Sequence, residues 1–232
     1  MIRAFYTAAA GANSHQTYLD VISNNMANLQ TEGYKSLKPE FSDLLYTNLT
    51  QAGEESLMVG SGSKIDKTDT LFNAGTLIQT DKETDYAIMG DGFFAIQAED
   101  EILFTRTGTF TVGNIEGENY LMLGNGYVLD NNEEPIVLTE GEEDEINIGV
   151  YKFTNNFDLE RVGNNLFRIA NENAEYEMSE VAEIKQGCVE GSNVDLSQEM
   201  VRMIQTQRAF QFNSRIIQVA DEIEQTINSL KG

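Results

Sequence analysis

The chain is poor in the residues that chemistry most often needs. Its 232 residues include one cysteine (Cys188), one histidine (His15), two prolines and no tryptophan. A single cysteine rules out an internal disulfide, and without a cysteine or histidine cluster a zinc site has no ligand set. His15 lies in an N-terminal helical pattern, so a catalytic triad with histidine as base is not expected. No run of about 18 apolar residues occurs, so no membrane-spanning helix is expected. Basic residues are scarce too: 15 Lys and Arg stand against 38 Asp and Glu, for a net charge of −23. Phosphate binding needs basic surface, so nucleic acid is not an expected partner. The opening MIRAFYTAAAGANSHQTYLD has one basic residue and an Ala-rich patch but no long apolar core or cleavage pattern. It is read as mature structure and not as a cleaved signal.

The acidic charge is unevenly spread. Residues 1–50 carry three basic and four acidic side chains, residues 191–232 carry four and five, and residues 51–190 carry eight and twenty-nine. Near-neutral ends around an acidic centre point to ends that associate and a centre that faces solvent. Taken alone, the charge also fits a surface that merely aids solubility.

The stretch from Ser192 to Lys231 contains neither Gly nor Pro. Asp195 followed by Gln198 is a helix-start pattern, since the carboxylate can accept an orphan backbone N–H. A helix from Leu196 to Leu230 would be about 50 Å long. Leu196, Met200, Met203, Phe210 and Ile217 recur at steps of three and four, with Gln207 and Ser214 between them, a seam that calls for a partner helix. Ile2, Phe5, Ala9, Ala12, Leu19, Ile22, Met26 and Leu29 supply one, over about Ile2 to Asn28, with small residues at 8–12 allowing close approach. Asn24, Asn25, Asn28 and Gly33 are stop signals. In the second half of the C-terminal helix, Ile216, Ala220, Ile223, Ile227 and Leu230 turn to a roughly opposite face. One straight neighbour cannot cover both faces, which implies packing between molecules. Asp at Phe210 or at Ile223 is accordingly expected to block assembly while sparing the β region.

Between the helices the signals are β. Asp91-Gly92 precedes FFAIQ, and Asn125-Gly126 separates YLML from YVL, a strong hairpin signal. ILFTRTGTFTV, PIVL, INIGVYKF and NLFRIA add short strands. The expected fold class is therefore α+β: long N- and C-terminal helices pairing as a coiled-coil-like domain, with an inserted antiparallel β-domain, a small barrel or sandwich. The expected boundaries are an assembly helix over 1–34, an extended linker over 35–70, the β-domain over 71–185 and a second assembly helix over 186–232.

Motifs for catalysis or metal binding fail on inspection. Lys64 in VGSGSKID follows Ser63 and precedes Ile65, where a phosphate loop needs Gly before the Lys and Ser or Thr after it. DNNEE, Asp130 to Glu134, lacks the central Gly and the distant bidentate Glu of a calcium loop. EGEEDE, Glu140 to Glu145, reads as a solvated acidic turn. Cys188 has only Lys185 as a basic neighbour, and no carboxylate pair stands out. No cofactor, metal or enzymatic activity is expected.

The run from Asn24 to Lys35 and the run from Gln186 to Asp221 together resemble the flagellar hook–basal-body rod proteins. The N-terminal signature matches at Asn24, Asn25, Ala27, Asn28, Thr31, Gly33, Tyr34 and Lys35. The closing motif matches at Gln186, Gly187, Glu190, Ser192, Asn193, Val194, Glu199, Met200, Met203, Ile204, Gln207, Arg208, Ala209, Phe210, Asn213, Ser214 and Asp221. LFNAGTLIQTDKETDYAIMGDGFFAI, TRTGTF and NNFDLERVGNNLFRIA resemble internal family segments in family order. The MIR-x-x-Y-T-A-A opening and the polar spacer before Leu71 are closest to the distal rod branch. The stretch from Leu138 to Ile146 is short for the family, so the β-domain is expected to lack a hairpin.

The resemblance implies a structural subunit of the bacterial basal-body rod, a tubular drive shaft carrying torque to the hook. It implies export through the flagellar type III apparatus. Its partners would be copies of itself and other axial subunits, without nucleic acid or membrane insertion. Alternatives are a proximal rod or hook-like axial subunit and, from another class, a secreted acidic binding module. The expected self-assembly residues are Ile2, Phe5, Ala9, Leu19, Ile22, Asn24, Asn25, Met26, Asn28, Gly33, Leu196, Met200, Met203, Gln207, Arg208, Phe210, Asn213, Ile217, Ile223 and Ile227.

Overall fold

A computed structural model describes residues 2–49, 57–98, 101–115, 117–138, 147–171, 174–179 and 182–230. The chain forms two compact units, each assembled from separated stretches. Unit one takes residues 1–27, 37–70 and 195–232, and unit two takes 28–36 and 71–194.

In unit one, helix α1 (Ile2–Ala27) packs against helix α2 (Leu196–Leu230). The α2 start is capped as the sequence suggests: the Asp195 carboxylate accepts the N–H groups of Ser197 at 2.9 Å and Gln198 at 3.2 Å. A Cβ at Gly11 would lie 2.9 Å from the Asn213 side chain, so the helices come close where α1 is built of small residues. The segment expected as a linker carries paired strands. Leu37–Asp43 runs antiparallel to Ser63–Thr70 with a bulge after Glu40, and Thr47–Leu49 pairs with Leu57–Val59. The alternation there is too polar to show as a buried strand, and α1 supplies the packing that holds the hairpin. The Ser14 hydroxyl, within hydrogen-bond distance of the Ala10 carbonyl, also lies 2.9 Å from the Ser63 carbonyl.

Unit two is an antiparallel β structure. Its largest sheet has ten strands: Phe93–Ala98, Glu101–Thr105, Thr111–Ile115, Glu118–Leu123, Gly126–Val128, Val137–Leu138, Val150–Phe153, Leu159–Gly163, Leu166–Ile169 and Tyr176–Met178; Tyr86–Met89 pairs with Glu183–Gln186, and Leu77–Gln79 with Cys188–Glu190, as separate two-stranded sheets. Phe93–Ala98 is central. One edge pairs with Glu101–Thr105, and the other is shared between Val150–Phe153 at its start and Gly126–Val128 at its end. Consecutive side chains on a strand point to opposite faces, so Phe93 and Phe94 enter different cores. Phe94 joins Tyr86, Ile88, Phe110, Leu121, Val128, Ile136, Ile148 and Val150, whereas Phe93 joins Ala95, Phe104, Leu129, Tyr151, Phe153 and Phe167.

The hairpin expected at Asn125-Gly126 forms with its turn one residue earlier, because Gly126 already belongs to the returning strand. Leu123 pairs with Gly126 across Gly124-Asn125, and Gly163 pairs with Leu166 across Asn164 and Asn165, both at positive φ. Of the expected barrel or sandwich, no barrel closes among the described residues: Val137–Leu138 and Leu159–Gly163, the ends of the strand path, do not pair. The shared edge of the central strand branches the sheet. Of the stretch expected to lack a hairpin, residues 139–146 lie outside the described residues, as does EGEEDE.

Candidate functional site

Helix α2 presents two different faces. Glu199, Met203, Thr206, Phe210, Asn213, Ile217 and Ala220 alternate steps of four and three and are buried or half-buried, with α1 as the element packed on them. Sequence periodicity finds Met203, Phe210 and Ile217 but also favours Leu196, Met200 and Gln207, which are exposed. The missed positions are Glu199 and Thr206, and Ala220, expected on the opposite face, is buried on the seam instead. They are polar or small, and the signal that could have found them, together with Asn213, is their recurrence every seventh residue. Glu199 is 3% exposed and pairs with Arg202; its second oxygen has no hydrogen-bond partner among the described atoms.

The other face is apolar and uncovered. Val201, Ile204, Phe212, Ile216, Val219, Ile223, Ile227 and Leu230 are exposed, Phe212 at 67%. At about 100° per residue all of them but Ile227 fall on one side of the helix, away from the α1 seam; Ile227, seven residues after Ala220, continues the seam stripe beyond its covered part. Arg208 and Arg215 border them, and a hollow of about 490 Å³ along this flank of the helix is lined by both arginines with Phe210, Gln211, Phe212, Ser214 and Gln218. From Asp221 to Leu230 every residue is exposed, so the last turns of α2 have no tertiary cover among the described residues.

On α1, Phe5 is exposed, Ala9, Leu19 and Met26 are half-buried, Ile22 is fully buried and Asn24 is exposed. The Ile2 side chain lies outside the described residues. Arg208 and Ile223 and Ile227 are exposed on α2.

Three of the expected assembly residues make bonds inside the chain. Asn25, 1% exposed, donates from its amide nitrogen to the Leu37 carbonyl and accepts the Leu37 N–H, each at 2.9 Å. It holds the start of the hairpin as a neighbouring strand would. Gly33 has φ +67, donates its N–H to the Glu190 carbonyl at 2.7 Å, and is pressed so closely on Thr107 that a Cβ would lie 2.6 Å from the Thr107 nitrogen. Asn28, half-buried, accepts a hydrogen bond from the Thr31 hydroxyl at 3.1 Å, shaping the turn after α1.

The residues after that turn meet the closing motif within unit two. The Lys35 ammonium lies 2.7 Å from Glu190 Oε1, and Arg106 lies 3.3 Å from Glu190 Oε2. Burial, partly offset by Glu190, lowers the Lys35 pKa from its ordinary value, and burial lowers that of Arg106 likewise. Asn193 accepts the Ser36 N–H at 2.7 Å and donates to the carbonyls of Leu71 and Asn73. The Arg161 guanidinium donates to the Lys35 carbonyl and stacks over Tyr34 and Phe167. These polar groups join chain segments, and Arg106 also borders a small hollow of about 70 Å³ with Phe72, Asp91 and Phe153. Among the described residues no group of three or more His, Cys, Asp or Glu is placed to hold a metal, and no helix is long and apolar enough to cross a membrane.

A chain with a long helix left apolar on its outer face falls in the class of proteins whose surfaces are completed by other subunits. Family models give that class a name. "Flagella basal body rod protein" matches residues 5–35, "Flagellar hook protein FlgE/F/G D1 domain" matches 87–164, and "Flagellar basal body rod FlgEFG protein C-terminal" matches 185–230. The chain is 35% identical over 270 residues to the flagellar basal-body rod protein FlgG of Borreliella burgdorferi, covering 100% of this chain and 99% of that protein. It is 33% identical over 263 residues to FlgG of Bacillus subtilis, covering both chains completely. The flagellar hook-basal body complex protein FlhP of Bacillus subtilis is 29% identical, again over both full lengths. The chain belongs to the flagellar basal-body rod protein family, as a structural subunit located in the basal body. Alignments of 263 and 270 columns against 232 residues mean that the relatives carry residues without a counterpart here.

Proposed function

We propose that this chain is a distal rod subunit that polymerises into the tubular drive shaft and transmits torque to the hook without catalysing a reaction. The observation that carries this reading is the exposed apolar face of α2, from Val201 to Leu230, opposite the face packed on α1. Open, heterologous contacts between such faces propagate as filaments when the rotation does not close. The helices α1 and α2 then form a coiled-coil-like pair within a subunit, its inner seam fixing register. The exposed members of the expected assembly set, Phe5, Asn24, Leu196, Met200, Gln207, Arg208, Ile223 and Ile227, contact neighbouring axial subunits. The half-buried and buried members hold those residues in place. The chain reaches the rod through the flagellar export apparatus, and neither nucleic acid nor lipid is a partner.

Imaging basal bodies from a strain lacking this gene tests the assignment. Rods that end after a proximal segment support a distal position. Structures with no rod at all, or with a complete rod and no hook, contradict it and favour the proximal or hook-like alternatives.

A further inference from the structure

Three charged side chains in unit two are almost wholly removed from water: Lys35 is 1% exposed, Glu190 2% and Arg106 3%. Glu190 is the common member. Its Oε1 accepts from Lys35 at 2.7 Å and from the Gly75 N–H at 2.6 Å, and its Oε2 accepts from Arg106 at 3.3 Å. Lys35 also donates to the Asn73 carbonyl at 2.8 Å, and Arg106 to the Gly90 carbonyl at 2.7 Å. The backbone repeats the connection: Gly33 donates to the Glu190 carbonyl and Gly191 to the Thr76 carbonyl. One carboxylate therefore touches the segments that carry the chain out of unit two, one after α1 and one before α2, together with the first residues that return to it.

Such a cluster is costly to bury and tolerable only when complete. Desolvation penalises each ion, and removing one partner leaves the others uncompensated in a low dielectric. With two cations on one anion, the cluster fails most severely if Glu190 is lost. Lys35 and Glu190 stand 155 positions apart in the chain, so the cluster cannot close on a partly folded N-terminal portion. We propose that Glu190, Lys35 and Arg106 form a buried ionic lock that makes residues 28–36, 71–79 and 188–194 open and close as one step, separately from the ten-stranded sheet. The lock sets both exits of the chain from unit two together. It acts in the single molecule and does not depend on the rod assignment.

Native-state hydrogen exchange of the full-length chain in monomeric form tests it. The amides of Gly33 and Gly191 bond to backbone carbonyls and not to the Glu190 carboxylate, so they report coupling and not the lost bond itself. In Glu190→Gln they should exchange roughly tenfold faster or more, in step with Gly75, while amides of Phe93–Ala98 and Leu121 keep their wild-type rates. Lys35→Met should accelerate the same set by a smaller factor, and it serves as the test if Glu190→Gln does not fold. Acceleration confined to Gly75, or spread equally through the sheet, overturns the proposal.

Discussion

Gly33 shows how a single residue in a signature can serve the subunit's own fold. Its positive φ, its N–H bond to Glu190 and its pressed contact with Thr107 each disfavour a side chain. Gly33→Ala should therefore destabilise unit two by about 1–3 kcal/mol, measured by denaturant melting of the monomer. Asn25 and Asn193 behave alike, one satisfying both backbone groups of Leu37 and the other bridging Ser36, Leu71 and Asn73. The sequence marks these positions as a motif but does not say whether they face inward or toward another molecule. Asn193 and Ser36 stand 157 residues apart, and no local pattern pairs them. The buried charges Lys35, Arg106 and Glu190 were equally hidden, since charged residues usually face solvent.

At the scale of the element, α2 separates two effects that periodicity merges. Phe210 is half-buried on the α1 seam, whereas Phe212 is exposed on the outer face. Phe210→Asp should cost unit one roughly 2–4 kcal/mol, because a charge would enter the seam. Phe212→Asp should leave the melting of the monomer within about 0.5 kcal/mol of wild type. Comparing the two by thermal melting distinguishes a packing position from an assembly position, so Phe210→Asp by itself would not test assembly. The extent of both helices was legible from their uninterrupted pattern and the Asp195 cap. The choice of seam was not, because Glu199, Thr206 and Asn213 line it without being apolar.

Helix α1 adds a pH dependence. His15 lies beside the Phe41 ring, with centroids 6.3 Å apart, and burial lowers its pKa below the ordinary imidazole value. The unfolded chain then binds the proton more readily than the folded one. This contribution to stability is complete above about pH 6.5 and is lost as the pH falls through the folded value. His15→Phe should flatten the melting temperature of unit one between roughly pH 7 and 5, where exposed carboxylates remain largely ionised. An unchanged slope would show that His15 does not set it.

For the whole molecule, the order helix, antiparallel β region, helix was legible from the change of hydrophobic period along the chain. The branched sheet was not, since Phe94 pairs with both Thr105 and Val150, a choice that turn signals alone do not fix. Nor was the hairpin of unit one, whose strands are polar and pack against α1. The acidic excess falls largely in unit two, while the uncovered apolar face falls on α2 in unit one. Under the proposed function that separation has a use: adhesion would lie on α2 and charge elsewhere. The most direct test is electron microscopy of basal bodies from cells whose only copy of the protein carries both Phe212→Asp and Ile223→Asp. The predicted result is a folded subunit with wild-type melting and rods that stop before the segment it builds; rods of normal length with normal motility would contradict the account.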